Sequence, residues 1–227
     1  MKWRRVHPFK VSPAEARQIQ GELREKIFLE SPKHLAKPIK LVAGADCSYA
    51  RNEATMWAAI VVLGLPGFEV REVSQVKEAA VFPYIPGLLT FREAPALLSA
   101  FEKLSLEPDV IMIDGQGIAH PQGLGLAAHL GFLLDRPTMG CAKSRLVGEY
   151  DEPGEEVGDY SPLIYQEKIV GAVLRTRKKT KPVFISPGFK ISLETALKVA
   201  TVCLAGYRIP EPVRRAHILS NRYRAGN

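Results

Sequence analysis

The spacing of hydrophobic residues along the first third of the chain predicts one helix followed by three strands. Apolar residues recur at helical spacing from Ala16 to Ile27, behind a capping-box pattern with proline at residues 12–15. Strand-like runs follow at 41–49, 56–65 and 69–81, separated by turn-prone Arg51-Asn52 and Pro66-Gly67. The three runs therefore predict a meander of antiparallel strands.

Beyond residue 82 the pattern changes to alternating helices and strands. Helical spacing predicts a helix from Glu93 to Leu104, and the apolar run Val110–Ile113 predicts a buried strand that ends at Asp114. Further elements are predicted as a helix at 123–134, strands at 138–141, 168–174 and 182–186, and helices beginning after Ser192 and near Pro212. This order predicts an α/β fold in which helices flank a mixed sheet.

Composition and charge narrow the class of protein. With 227 residues, of which 46% are hydrophobic, the chain can bury a large core, and we expect one domain spanning 1–227. We expect a soluble protein, because there is neither a signal-peptide pattern nor an apolar stretch of membrane-spanning length. Widely spaced Cys47, Cys141 and Cys203 favour a reducing, cytoplasmic location. A net charge of +7 suggests a polyanionic partner, with nucleic acid as the first candidate.

Two aspartates stand where strands are predicted to end. Asp46 closes the first strand, and Asp114 closes its own strand and is followed by Gly115-Gln116-Gly117. If these strands were parallel neighbours, their ends would lie about 5 Å apart. Two carboxylates at that distance repel each other unless a cation neutralises them. Each aspartate alone could instead be a capping or turn residue.

Three motifs occur in an order and spacing that resemble those of the endonuclease V family. They are Phe82–Glu93, which begins Phe-Pro-Tyr-Ile-Pro-Gly, then Asp114–Pro121, and then Gly140–Ser144. The similarity runs in register from Val42 to the final helix. The resemblance implies an RNase H-like fold, consistent with the predicted order of strands and helices.

The resemblance implies a catalytic centre that binds divalent metal. The family's metal-binding carboxylates fall on Asp46, Glu93 and Asp114, whose oxygen ligands suit Mg²⁺, with Mn²⁺ as the other candidate. The resemblance also places Lys143 and His217 at the active site. Without it, Glu93 could be an acid near a helix N-terminus, Lys143 a solvated lysine and His217 a surface histidine.

The resemblance also implies a wedge and a base pocket. The wedge falls on Pro83, Tyr84, Ile85 and Pro86, where two prolines stiffen a loop that cannot continue a central strand. A pocket for a flipped hypoxanthine falls near Gly87, Leu89, Gly117, His120 and Gly140. Alternatively, Tyr84 and Ile85 pack in the core, the glycines serve only their turns, and His120 caps a helix entry.

Charged segments outside these motifs leave several interpretations open. Gln122 follows His120-Pro121, where family members often carry a basic residue, so a phosphate contact there is in doubt. The basic run 175–181 and Arg214, Arg215, Arg222 and Arg224 could bind phosphates instead, although the run could equally be solvated. We expect the acidic loop Asp151–Glu156 to be only solvated.

The resemblance implies a DNA repair endonuclease that recognises deoxyinosine, and we expect a monomer. It implies a nick on the 3′ side of the lesion, one nucleotide removed, which leaves 3′-hydroxyl and 5′-phosphate ends. One alternative is an endoribonuclease that acts on inosine-containing RNA. Another is a lesion-binding module in which the acidic residues only cap strands.

Overall fold

One mixed sheet of eight strands forms the centre of the computed structural model, which describes residues 1–49 and 54–226. The strands are β1 Leu41–Ser48, β2 Thr55–Gly64, β3 Glu69–Ala79, β4 Val110–Ile113, β5 Thr138–Ala142, β6 Tyr160–Tyr165, β7 Lys168–Leu174 and β8 Val183–Phe189. Their order across the sheet is β3-β2-β1-β4-β5-β8-β7-β6. The helices are α1 Pro13–Arg24, α2 Leu89–Glu102, α3 Leu126–Leu134, α4 Leu193–Val202 and α5 Glu211–Ala225, with a 3₁₀ turn at Lys33–Ala36.

The predicted α/β, RNase H-like arrangement is confirmed. β1, β2 and β3 form the expected antiparallel meander, and β1 pairs in parallel with β4, Ala45 lying opposite Ile113. The capping box of α1 is also present, since Ser12 Oγ accepts from the Glu15 backbone N–H and the Glu15 carboxylate accepts from the Ser12 N–H. The predicted Arg51-Asn52 turn lies outside the described residues.

Two differences from the predicted element boundaries change the placing of site residues. The second helix begins at Leu89, so Glu93 lies in its second turn and not at its start. Pro95 is tolerated inside this helix, although it cannot donate to the carbonyl one turn earlier. β1 continues through Asp46 to Ser48, so Asp46 lies within the strand and does not close it.

β6 is a strand that the hydrophobic pattern did not predict. It spans Tyr160–Tyr165, and Pro162 interrupts its pattern. Pro162 is tolerated because β6 is at the edge of the sheet, where one side of the strand needs no hydrogen-bond partner.

Both faces of the central strands are buried. In β4, Ile111 and Ile113 pack with residues of α2 and α3, whereas Val110 and Met112 pack on the opposite face with residues of α4 and with Val213 of α5. The continuous apolar run of β4 follows from this burial on both sides. None of the helices in the described part of the chain has the length and apolar character needed to cross a lipid bilayer.

A glycine in β1 sets the position of α5. A β-carbon at Gly44 would lie 1.9 Å from the Pro212 carbonyl oxygen, so only glycine allows the start of α5 to approach β1 this closely. This approach brings the next turns of α5 beside Asp46.

Candidate active site

Three elements bring two carboxylates and an imidazole together. Asp46 lies in β1, Asp114 directly follows β4, and His217 lies on α5. One ligand atom from each of the three residues lies within 4.8 Å of the others. His217 Nδ1 is 3.3 Å from Asp46 Oδ2 and 4.0 Å from Asp114 Oδ2. The predicted adjacency of the two aspartates is therefore present.

Glu93 lies at the same cavity but outside this compact trio. Glu93 is only 5% exposed, and its carboxylate is hydrogen-bonded to the side chain of Tyr49. Burial raises the pKa of Glu93 well above its usual range, and the charge of Asp46 adds to the shift. Its position in the second turn of α2 rules out the alternative role of a helix N-terminal acid.

Lys143 neutralises part of the negative charge. Its Nζ is 2.5 Å from Asp114 Oδ2 and 3.4 Å from His217 Nδ1. Burial, followed by the charge of Asp46, still raises the pKa of Asp114, so the lysine does not fully compensate. The pKa of His217 is raised chiefly by its hydrogen bond to Asp46. Lys143 and His217 thus belong to the site, and neither is a merely solvated surface residue.

The donor set fits a divalent cation. Buried carboxylates that repel each other are relieved by a positive ion, and carboxylate oxygens are the ligands that Mg²⁺ and Mn²⁺ prefer. Asp46, Asp114 and His217 are close enough to share one ion. Glu93 would complete the acidic wall of the cavity.

Two polar residues of α5 contact Asp46 and His217 and were missed in the sequence. Ser220 is fully buried, and its Oγ donates to Asp46 Oδ2 at 2.5 Å. Asn221 accepts from Ser48 Oγ at 3.0 Å and donates to the His217 carbonyl oxygen at 2.8 Å. His217, Ser220 and Asn221 stand at positions i, i+3 and i+4, a spacing that could have indicated one polar helix face.

The predicted wedge loop projects into solvent. Pro83, Tyr84 and Pro86 are exposed, with Tyr84 at 47%, whereas Ile85 is partly buried against a small core cluster that includes Phe82. The alternative that these side chains pack in the core is therefore wrong for Tyr84, whereas it is partly right for Ile85. The Tyr84 ring lies 6.5 Å from that of Tyr49, which is hydrogen-bonded to Glu93.

A cavity of about 650 Å³ joins the wedge loop to the acidic residues, and we call it the site cavity. Its walls include all three acidic residues and Lys143, His217, Tyr84, Ile85, Pro86, Gly87, Leu89 and His120. Most of the predicted site residues are thus assembled around one space.

Gly117 and Gly140 do not line the site cavity, contrary to expectation. A β-carbon at Gly117 would lie 1.9 Å from the Pro187 carbonyl oxygen, and one at Gly140 would lie 2.4 Å from the Gly115 carbonyl oxygen. Both glycines therefore permit backbone segments to pack closely behind the cavity. Gly115 and Gln116 line it instead.

His120 lines the site cavity, and the alternative that it caps a helix entry is wrong. The N-cap of α3 is Gly125, whereas His120 Nδ1 accepts the backbone N–H of Gln122 at 3.2 Å in the turn before that helix. Burial lowers the pKa of His120 to about 4, so the ring is neutral near pH 7. With Nδ1 accepting, the proton is on Nε2, on the side of the Gly87 backbone.

Several arginines considered as phosphate contacts have protein partners. Arg214 and Arg215 each donate from Nε to the Glu211 carboxylate at 2.7 Å. Arg175 is 8% exposed and donates to the carbonyl oxygens of Gly154 and Pro153. The acidic loop is therefore held in place by Arg175, and the expectation that it is only solvated is wrong.

Comparison with known proteins identifies a family. The sequence model of the family described as Endonuclease V matches residues 21–218. A curated Endonuclease V of Dehalococcoides mccartyi is 49% identical over 218 residues, which are 96% of this chain and 96% of that protein. The structure of the Bacillus subtilis protein superposes with a TM-score of 0.90 at 32% identity and covers 100% of both chains.

A third relative was solved with nucleic acid. The Ciona intestinalis Endonuclease V structure superposes with a TM-score of 0.84 at 30% identity, covering 94% of this chain and 98% of that one. That protein is in complex with a 24mer DNA containing an inosine followed by a ribo-adenosine.

Proposed function

This chain belongs to the endonuclease V family, and from that premise we propose that it nicks inosine-containing DNA at a site built by Asp46, Glu93 and Asp114. It is a DNA repair nuclease that hydrolyses phosphodiester bonds. The observation that carries the assignment of its site is the convergence of these acidic residues, Lys143 and His217 on a cavity that also reaches the wedge loop.

We propose Mg²⁺ as the working ion, with Mn²⁺ as a substitute. Asp46, Glu93 and Asp114 would hold it, and His217 is near enough to bind or to orient water. When bound, such an ion polarises the phosphate and lowers the pKa of coordinated water. Lys143, beside Asp114, can stabilise the negative charge that develops on the phosphate.

Recognition is proposed to depend on the exposed loop. Tyr84 would fill the space left by an everted base, and prolines on either side keep the loop stiff at little entropic cost. The everted base would enter beside Gly87 and Leu89, where backbone groups can contact the purine O6 and N1 edge. His120 Nε2–H is hydrogen-bonded to the Gly87 backbone and would hold that part of the pocket in position.

We propose that the cut lies 3′ to the lesion, one nucleotide removed, and leaves 3′-hydroxyl and 5′-phosphate ends. Support comes from the cavity, since the wedge loop and the acidic residues occupy different parts of it. The test is to incubate the protein with Mg²⁺ and an end-labelled duplex that carries one inosine, and to map the nick. A nick at any other bond, or none with Mg²⁺ or Mn²⁺, would contradict the proposal.

A second candidate substrate is inosine-containing RNA. The ribo-adenosine after the inosine in the Ciona complex is the observation that favours it. Oligonucleotides identical except for a ribose or deoxyribose beside the cut would separate the two at matched salt. A strong preference for ribose would make RNA the principal substrate.

We also propose that residues 1–227 act as one domain, as a monomer in the cytoplasm. The single sheet through all eight strands supports one domain. All three cysteines are free thiols, which supports a reducing compartment. Light scattering of the purified protein would test the monomer, and fractionation of cells would test the compartment.

A further inference from the structure

A second cleft adjoins the site cavity, and its walls carry a strong positive charge. It lies between the acidic loop Asp151–Glu156 and the basic run 175–181, has a volume of about 930 Å³, and we call it the flank cleft. Among the described residues, seven basic side chains line it against three acidic ones. A groove with this excess of positive charge attracts a polyanion.

The flank cleft meets the site cavity at its catalytic end. The residues that line both spaces are Lys143, Ser144 and Arg145. Lys143 contacts Asp114, whereas no described residue of the wedge loop borders the flank cleft. The order through the two spaces is therefore wedge, acidic residues, flank cleft.

Arg208 fixes the wall between the two spaces. Its Nη2 donates to the Lys143 carbonyl oxygen at 2.6 Å and to that of Pro182 at 3.0 Å, and its Nε donates to the Lys181 carbonyl oxygen at 2.8 Å. Lys143 and Lys181, at the end of the basic run, are thus both hydrogen-bonded through their carbonyl oxygens to Arg208. A strand that leaves the acidic residues can follow this wall.

The basic side chains of the flank cleft differ in how free they are to bind. Arg175 is buried and holds the acidic loop, and Lys178 pairs with Glu156 at 2.6 Å. Lys179 and Lys181 are exposed, and within the described ranges neither has an acidic partner. Arg145 also has no acidic partner in those ranges, but it donates to the Gly148 carbonyl oxygen at 3.1 Å and lies over the Tyr150 ring. Lys179 and Lys181 are therefore the available cations of the basic run.

We infer that the flank cleft binds the phosphate backbone of the nucleotides on the 3′ side of the cut, with Lys179 and Lys181 as the principal contacts. This inference rests on the proposed function, because a cut 3′ to the lesion sends the strand from the wedge, past the acidic residues, into the cleft. The contacts are with phosphates and are therefore independent of sequence.

The test varies the two arms of the substrate separately. One series of inosine oligonucleotides has a constant 5′ arm and a 3′ arm of increasing length, and a second series has a constant 3′ arm and a 5′ arm of increasing length. Both series are nicked by the wild type and by Lys179→Ala/Lys181→Ala. We expect kcat/KM of the wild type to rise with the 3′ arm and that of the variant to rise far less. The two proteins should be equal on the shortest arm.

A salt series and a control variant make the result specific. Two lost phosphate contacts should reduce the slope of log kcat/KM against log salt by about 1.5, which is roughly a tenfold difference between 50 and 200 mM. Lys26→Ala/Lys168→Ala removes the same charge from exposed positions outside both spaces and should match the wild type.

Each other outcome overturns the inference. The variant could respond to the 3′ arm as the wild type does, lose activity equally at every arm length, or depend on the 5′ arm instead. Failure of the proposed function is distinguishable, because then the wild type would not nick any of the inosine substrates 3′ to the lesion. That result would remove the premise of the inference as well.

Discussion

The acidic end and the wedge end of the site cavity are built in opposite ways. Asp46 and Asp114 are held by the neighbouring parallel strands β1 and β4, and Ser220 fixes Asp46 from a buried position. Tyr84 is in an exposed loop that is bracketed by prolines. Chemistry needs carboxylates fixed to within a fraction of an ångström, whereas insertion between bases needs a side chain free of the core.

The largest effect is expected from a substitution of Asp114, which should abolish the chemistry of the acidic end and leave the binding by the wedge end intact. Asp114→Asn keeps the shape of the side chain but removes a metal ligand, so nicking should fall by about 10³-fold or more. Binding of inosine DNA should persist or tighten, because negative charge near phosphate is reduced. Parallel measurement of nicking and gel-shift affinity checks this. Retention of wild-type nicking would refute the assignment of Asp114 to the metal.

A smaller effect is expected at the wedge end. Tyr84→Ala should reduce the preference for lesion-bearing over normal duplex by about tenfold, since stacking of one base on an aromatic ring contributes about 1–3 kcal/mol. Competition binding with the two duplexes measures it. Tyr160→Ala is the matched control, because Tyr160 is 60% exposed on the edge strand. Equal preference in all three proteins would leave the loop without a recognition role.

The support of Asp46 by Ser220 can be tested through metal affinity. Ser220→Ala removes the hydrogen bond that orients the Asp46 carboxylate, so the Mg²⁺ concentration for half-maximal nicking should rise by about tenfold. Ser74→Ala removes another buried hydroxyl, one that donates to the Ala100 carbonyl oxygen at 2.7 Å far from the site. That control should lose stability without a change in Mg²⁺ dependence. The same shift in both variants would assign Ser220 a purely structural role.

The smallest effect concerns stability and pH. Since burial raises the pKa of Asp114 to about 6, its charged form destabilises the metal-free fold above that pH, and the destabilisation shrinks as pH falls from the raised pKa to the ordinary pKa of an aspartate. Asp114→Asn should therefore stabilise the metal-free protein by about 1 kcal/mol at pH 7.5, and the gain should shrink at lower pH. Chemical denaturation at several pH values checks the sign. A gain that grows towards acid pH would contradict it.

The sequence was most informative where local patterns determine structure. The apolar runs before Asp46 and Asp114 predicted strands, and the bracketing prolines predicted the projecting loop around Tyr84. The contact of Ser220 with Asp46 depends instead on how closely α5 packs on β1, which Gly44 allows. The role of Arg175 was equally hidden, because its partners are carbonyl groups on a loop about 20 residues earlier in the sequence.

The central claim, that Asp46, Glu93 and Asp114 together hold a divalent ion, is tested most directly by titrating the metal-free protein with Mn²⁺. Free Mn²⁺ is followed by electron paramagnetic resonance, with Mg²⁺ as competitor. Asp46→Asn, Glu93→Gln and Asp114→Asn should each weaken binding by about tenfold or more, as expected when a charged ligand is lost. Asp135→Asn, which alters a surface carboxylate paired with Arg4 and Lys190, should bind as the wild type does. Wild-type Mn²⁺ affinity in all three site variants would contradict the account.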